Sequence, residues 1–276
     1  MENVKKKKHA LSEKVPVIAA VLWIFAAMLI QGIFEILFKL TGLFGNSKAA
    51  GYVGTVIGAI VFLILMKVWY SPEYKGTLKS GISMKKTILF MVPVMIYSLI
   101  ILITQLIQHN FYWDASFINI LMGLSAGFGE ETMFRISAIP VAMGFIKSEK
   151  RVWTVPVVTA LIFGVMHLGN LAEGATVTNS VVQAIVTGLV GFYYGALLVA
   201  TGSGIPGIIT HAVYDYICFA GDPGLTEGIM TTQLAVWEIV FNFILAGALA
   251  GSGVWMIKHL GDAGILKLWK KKWSQD

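Results

Sequence analysis

"FGEETMFR", residues 128–135, sets two adjacent carboxylates, Glu130 and Glu131, and a guanidinium, Arg135, inside one of the most apolar parts of an apolar chain. A charged side chain at the centre of a bilayer costs about 2.5–3.5 kcal/mol on insertion scales, so charges placed there need a partner or a task. Whether this stretch lies in lipid therefore decides the fold.

Composition says that it does. Of 276 residues 57% are hydrophobic and 13% are charged, where a soluble domain carries about a quarter charged residues; the mean hydropathy is +0.76. A bilayer core of about 30 Å takes roughly 20 helical residues, and eight apolar runs qualify, at about 16–40, 50–70, 87–108, 115–146, 153–169, 179–200, 204–220 and 234–257. The expected fold is all-α: a polytopic membrane protein of about eight transmembrane helices enclosing a polar catalytic cavity. The fourth run is too long for one straight crossing, and Pro140 offers the place for a kink. The first run follows "KKKKHALSEK" but is too long for a signal-peptide core, so it reads as a retained span. The expected organisation is a basic cytoplasmic tail over 1–15, one embedded domain over 16–257 with its motif core at 115–220, and a basic cytoplasmic tail over 258–276.

Basic residues orient the bundle. With the N-terminus in the cytoplasm, every lysine and arginine falls on the inner side except Lys39 and Lys48 outside and Arg135 within a span. This bias predicts both termini inside. The net charge of +6 is then topology and attraction to anionic headgroups rather than a nucleic-acid footprint, and a bacterial cell membrane is the expected location. Pairs of glycines at helical spacing (Gly54 and Gly58, Gly123 and Gly127, Gly191 and Gly195, Gly247 and Gly251) predict close helix packing. The single cysteine, Cys218, excludes an internal disulfide and any cysteine-based zinc site.

Six charged or titratable groups lie inside three spans: Glu130, Glu131 and Arg135, then His167, then His211 and Asp215. Arg135 follows Glu131 by four residues, the spacing at which the two meet on one helical face. Glu130, rotated about 100° away, is left as the carboxylate free for chemistry. His211 and Asp215 share a face one turn apart, and Phe163 sits one turn before His167. Two imidazoles and an unpaired carboxylate are the parts of a hydrolytic site. Counted from the span ends, His167 lies roughly 20 Å deep and His211 about 10 Å, so tilt, a kink or a re-entrant segment has to bring them level.

"EETMFR" fits EExxxR, "FGVMH" (163–167) fits FxxxH, and "HAVYD" (211–215) fits HxxxN/D, in that order. The set resembles the CPBP family of intramembrane proteases, which includes type II CAAX prenyl endopeptidases and bacteriocin-processing or immunity (Abi) proteins. The resemblance implies that Glu130 and His167 activate water and that His211 and Asp215 stabilise the oxyanion or protonate the leaving group. Glu131, Arg135 and Phe163 are then structural support. An aspartate stands at 215 where many members have asparagine. The implied partner is a membrane-associated peptide or protein in the lipid bilayer, with no nucleic acid. No cofactor is required on this reading. The residues also permit zinc on His167, His211 and Glu130 or Asp215, and the absence of an HExxH element weighs against it. A non-proteolytic immunity or scaffold protein of the same family, a proton-coupled transporter, and a serine site at Ser125 are the competing readings.

Overall fold

The computed structural model describes residues 9–42, 45–226, 229–230 and 233–274; the lysines at 5–8 counted above lie outside these. A short helix, α1 (Ala10–Lys14), precedes the long helices α2 (Pro16–Thr41), α3 (Ser47–Trp69) and α4 (Met84–Gln108). Helix α5 (Phe117–Glu130) runs into a π-helical turn (Glu131–Ile136) and then α6 (Ile139–Phe145). Next come α7 (Arg151–Met166) with a 3-10 turn (His167–Glu173), α8 (Val177–Thr201) and α9 (Ile205–Gly221). A two-residue hairpin, β1 (Leu225–Thr226) and β2 (Ile229–Met230), antiparallel with Leu225 opposite Met230, leads to α10 (Val236–Leu260) and α11 (Asp262–Lys272).

The fold is an all-α membrane bundle. Among the described residues six helices are long and apolar enough to span a membrane: α2, α3, α4, α7 with its 3-10 turn, α8 and α10. The other two expected spans fall short of that measure, α5 at 14 residues and α9 at 17 residues, so the count of eight is not reached by length and composition. These two short helices, with the π-turn that follows α5, carry five of the six charged or titratable groups. They lie against each other and against their longer neighbours, α5 on α3 and α9 on α4, so protein rather than lipid surrounds their polar groups.

Local chemistry explains the break after α5. Pro140 has no N–H to give the carbonyl four residues earlier, and its ring crowds that carbonyl. The preceding turn widens instead, with the Ser137 amide donating to the Thr132 carbonyl at 3.0 Å, five residues back. The interruption thus falls earlier than Pro140 itself, directly beside the charged stretch, a place where π-turns often accompany function.

One end of the bundle collects the lysine-rich loops. The Lys75 amide donates to the Lys272 carbonyl at 2.8 Å and the Gly81 amide to the Thr201 carbonyl at 2.7 Å. Trp273 Nε1 donates to the Pro140 carbonyl at 2.9 Å, and Trp153 Nε1 to Asp262 Oδ1 at 3.0 Å. Amphipathic α11 closes this end, its Ile265, Trp269 and the following Trp273 buried against the loops. The opposite end is tied by Gln108 to Glu238 (3.1 Å) and by the Leu234 amide to Asn179 (3.2 Å).

Glycines set the tightest contacts. A Cβ on Gly54 would meet the Phe34 carbonyl oxygen at 2.5 Å, joining α3 to α2, and one on Gly127 would meet the Ala212 amide nitrogen at 2.6 Å, joining α5 to α9. Gly247 and Gly251 differ from expectation: nothing lies within 4 Å of a Cβ at either, because the face of α10 that carries them is not packed on another described helix.

Candidate active site

The close approach of α5 and α9 through Gly123 and Gly127 lays His211 over the start of the π-turn. His211 Nδ1 donates to Glu131 Oε1 at 2.9 Å. Its Nε2 faces Asp215 Oδ2 at 3.2 Å and Glu130 Oε2 at 3.6 Å. One imidazole therefore touches three carboxylates. Tyr194 from α8 stacks on the ring, with centroids 4.9 Å apart and planes 17° from parallel, which fixes its tilt.

Arg135 sits on the far side of Glu131. Its Nη1 lies 3.2 Å from Glu131 Oε1, the pairing read from the four-residue spacing. The guanidinium stacks 3.9 Å from the Phe163 ring centroid, a cation–π contact in a site without solvent. A Cβ at Gly191 would meet Arg135 Nη2 at 2.7 Å, so glycine there makes room for the cation. Glu131 and Arg135 are both buried, and neither lines the adjoining cavity.

Glu130 behaves differently from its neighbour. Its side chain is 34% exposed against 3% for Glu131, and it opens into a cavity of about 830 Å³ that His167, His211, Asp215 and Phe163 also line. The residues read from the sequence as catalytic thus share one cavity, and the expected support residues Glu131 and Arg135 stand behind it.

His167 begins the 3-10 turn at the end of α7. Its Nδ1 lies 2.9 Å from the Phe163 carbonyl oxygen. A carbonyl can only accept, so Nδ1 carries the proton and Nε2 of the neutral ring keeps a lone pair. Phe163 is edge-on to His167 at 4.7 Å and to His211 at 6.3 Å, and so stands between the two imidazoles. The two histidines are level for a reason the sequence does not display. Thr201 and Ser203 before α9 are buried, covered by the 77–81 loop through the bond from the Gly204 amide to the Thr77 carbonyl (2.9 Å). Helix α9 starts inside the protein, so counting depth from its first residue understates that of His211.

For a metal, the ligand atoms of Glu130, His211 and Asp215 lie within 4.8 Å of one another, and His167 is not among them. One imidazole and two carboxylates are suitable in type for a divalent cation, and the bond from Nδ1 to Glu131 is the outer partner that metal-bound histidines usually have. This set differs from the two-histidine set considered from the sequence.

Three residues escaped the sequence reading. Tyr194 stacks on His211, Gly207 admits Glu131 (Oε2 would lie 3.0 Å from a Cβ there), and Gln31 donates through Nε2 to the Gly129 carbonyl at 3.2 Å. A tyrosine pair within α8 and a glutamine within α2 were the signals available, and neither has a spacing that names its partner.

Residues 112–217 match the family model described as type II CAAX prenyl endopeptidase, Rce1-like. This match supports the resemblance to the CAAX protease family. The matched segment contains all six charged and titratable groups of the site, from Glu130 to Asp215. A CAAX-type protease family implies a peptide or protein substrate met in a membrane. No curated protein and no solved structure matches the chain.

Proposed function

We propose that the chain is an intramembrane endopeptidase in which Glu130 and His167 activate a water molecule. The observation that carries this reading is the contrast between two adjacent glutamates, one sealed against Arg135 and His211 and the other opening onto a cavity with His167. Water held between the Glu130 carboxylate and the lone pair of His167 Nε2 loses a proton as its oxygen attacks the scissile carbonyl carbon. The tetrahedral oxyanion then needs donors. His211 can supply an N–H from Nε2, which Asp215 orients, and the same group can pass a proton to the departing amine. Asp215 in its ionised form accepts only, so its part is to hold His211 rather than to face the oxyanion.

The reading is metal-independent. A carboxylate beside a histidine whose lone pair is free suffices to activate water, and the Nε2 to Asp215 distance of 3.2 Å is that of a hydrogen bond. Purified protein is expected to keep its activity after prolonged treatment with a strong chelator. One tightly bound zinc per chain, lost and restored together with activity, would instead make Glu130, His211 and Asp215 its ligands.

We place both termini in the cytoplasm of a bacterial cell, with the lysine-rich end inward. A reporter fused after Lys272 and one inserted at Lys86 should both read cytoplasm, and one in the 170–178 loop should read outside. An external signal at Lys86 would overturn this orientation. The immunity or scaffold alternative predicts that Glu130→Gln leaves the cellular phenotype intact.

A further inference from the structure

The cavity is lined by Glu35, Glu130, Glu173, Asp215, Asp222 and Glu238, and no lysine or arginine is among its described lining residues. In a chain with 21 basic and 15 acidic residues, this is a segregation of charge. Some of the acids are partly balanced: Glu35 pairs with Lys39 at 2.6 Å, and Asp222 lies 3.6 Å from His109. Glu173 is exposed at the rim, and Glu238 accepts from the Gln108 amide and the Ala235 backbone. Independently, Gln31 is 2% exposed and lines the cavity beside Glu130, and its Oε1 has no hydrogen-bond partner; Gln105 Oε1, also in the lining, has none either. A buried acceptor without a donor costs free energy unless something supplies one. Carboxylates without a lysine or arginine beside them in the lining, together with the orphaned amide oxygens, leave the cavity with an excess of negative charge and with unfilled acceptors.

Direction follows from the same residues. Gln108, Asp222 and Glu238 belong to the end of the bundle opposite α11, and none of the residues of the lysine-rich end lines the cavity. Its volume of about 830 Å³ lies within the usual range of binding cavities, about 300–1,000 Å³.

We propose that the cavity receives an extended peptide segment bearing lysine or arginine, which enters from the end of the bundle opposite the lysine-rich face. Its backbone N–H groups supply donors to Gln31 and Gln105, and its cationic side chains meet Glu173 and Glu238 at the rim. Cleavage of that segment rests on the proteolytic reading above, whereas its binding does not.

The test uses the full chain in lipid nanodiscs and matched quenched fluorescent peptides with one apolar centre, flanked by lysine pairs, glutamine pairs or glutamate pairs. The lysine peptide is expected to exceed the glutamine peptide in kcat/KM by roughly threefold to tenfold, with the advantage shrinking at high salt. The double substitution Glu173→Gln with Glu238→Gln should lower that ratio by about twofold to threefold. Binding of the same peptides to the Glu130→Gln chain, followed by fluorescence anisotropy, separates the two readings. Preferential binding of the lysine peptide with no turnover by the native chain would sustain the inference and contradict the protease. Turnover without charge preference would overturn the inference and leave the protease standing. Failure of the lysine peptide to bind better than the glutamate peptide overturns it outright.

Discussion

Replacing Glu130 by glutamine is expected to lower peptide hydrolysis about 100- to 10,000-fold, the range for loss of a positioned general base, while the protein remains inserted and folded. The glutamine has the same shape, and the side chain it replaces is 34% exposed to the cavity with only a 3.6 Å contact to His211 Nε2. Nothing in the packing depends on its charge. The amount of protein in membranes and its melting temperature should therefore stay at the native values when the rate falls. Activity retained within tenfold would remove Glu130 from the role of base.

The neighbouring substitution should behave in the opposite way. Glu131→Gln leaves Arg135 buried beside Phe163 without its counter-charge, and weakens the bond that holds His211 Nδ1 at 2.9 Å. Breaking a buried pair from one side costs roughly 3–5 kcal/mol, and the cost should appear as lower abundance and a lower melting temperature. Activity falls as well, because the acceptor that sets the orientation of His211 is weaker in its neutral form. Native abundance and melting in Glu131→Gln would contradict the clamp. The pair of variants separates chemistry from support, since only one of them should lose stability.

Much of this site could be read along single helices, and little of it between them. The Glu131 and Arg135 contact follows from residues four apart, and it forms even though the turn between them is π-helical. The gathering of Glu130, His167, His211 and Asp215 around one cavity followed from the high cost of isolated charges in a bilayer. The second bond of Glu131, to His211, could not be read, because the register between α5 and α9 is set by backbones meeting at Gly123 and Gly127, and Gly207 leaves the space that the Glu131 side chain fills. Helical periodicity says which residues share a face, but not which face meets which. The same limit hid Tyr194 and Gln31. Six of the eight expected spans meet the measure of length and composition; the fourth and seventh runs do not, because their helices, packed against protein, are shorter. The depth of His211 was understated because the loop before α9 is itself buried.

The central claim is that this membrane protein cuts peptides with Glu130 as the base. It is tested most directly by comparing the membrane peptidomes of cells carrying the native chain and cells carrying Glu130→Gln at equal protein level. The account predicts a defined set of new peptide termini in the native cells, with the uncut precursors accumulating in the variant. Identical termini and identical precursors in the two would contradict it.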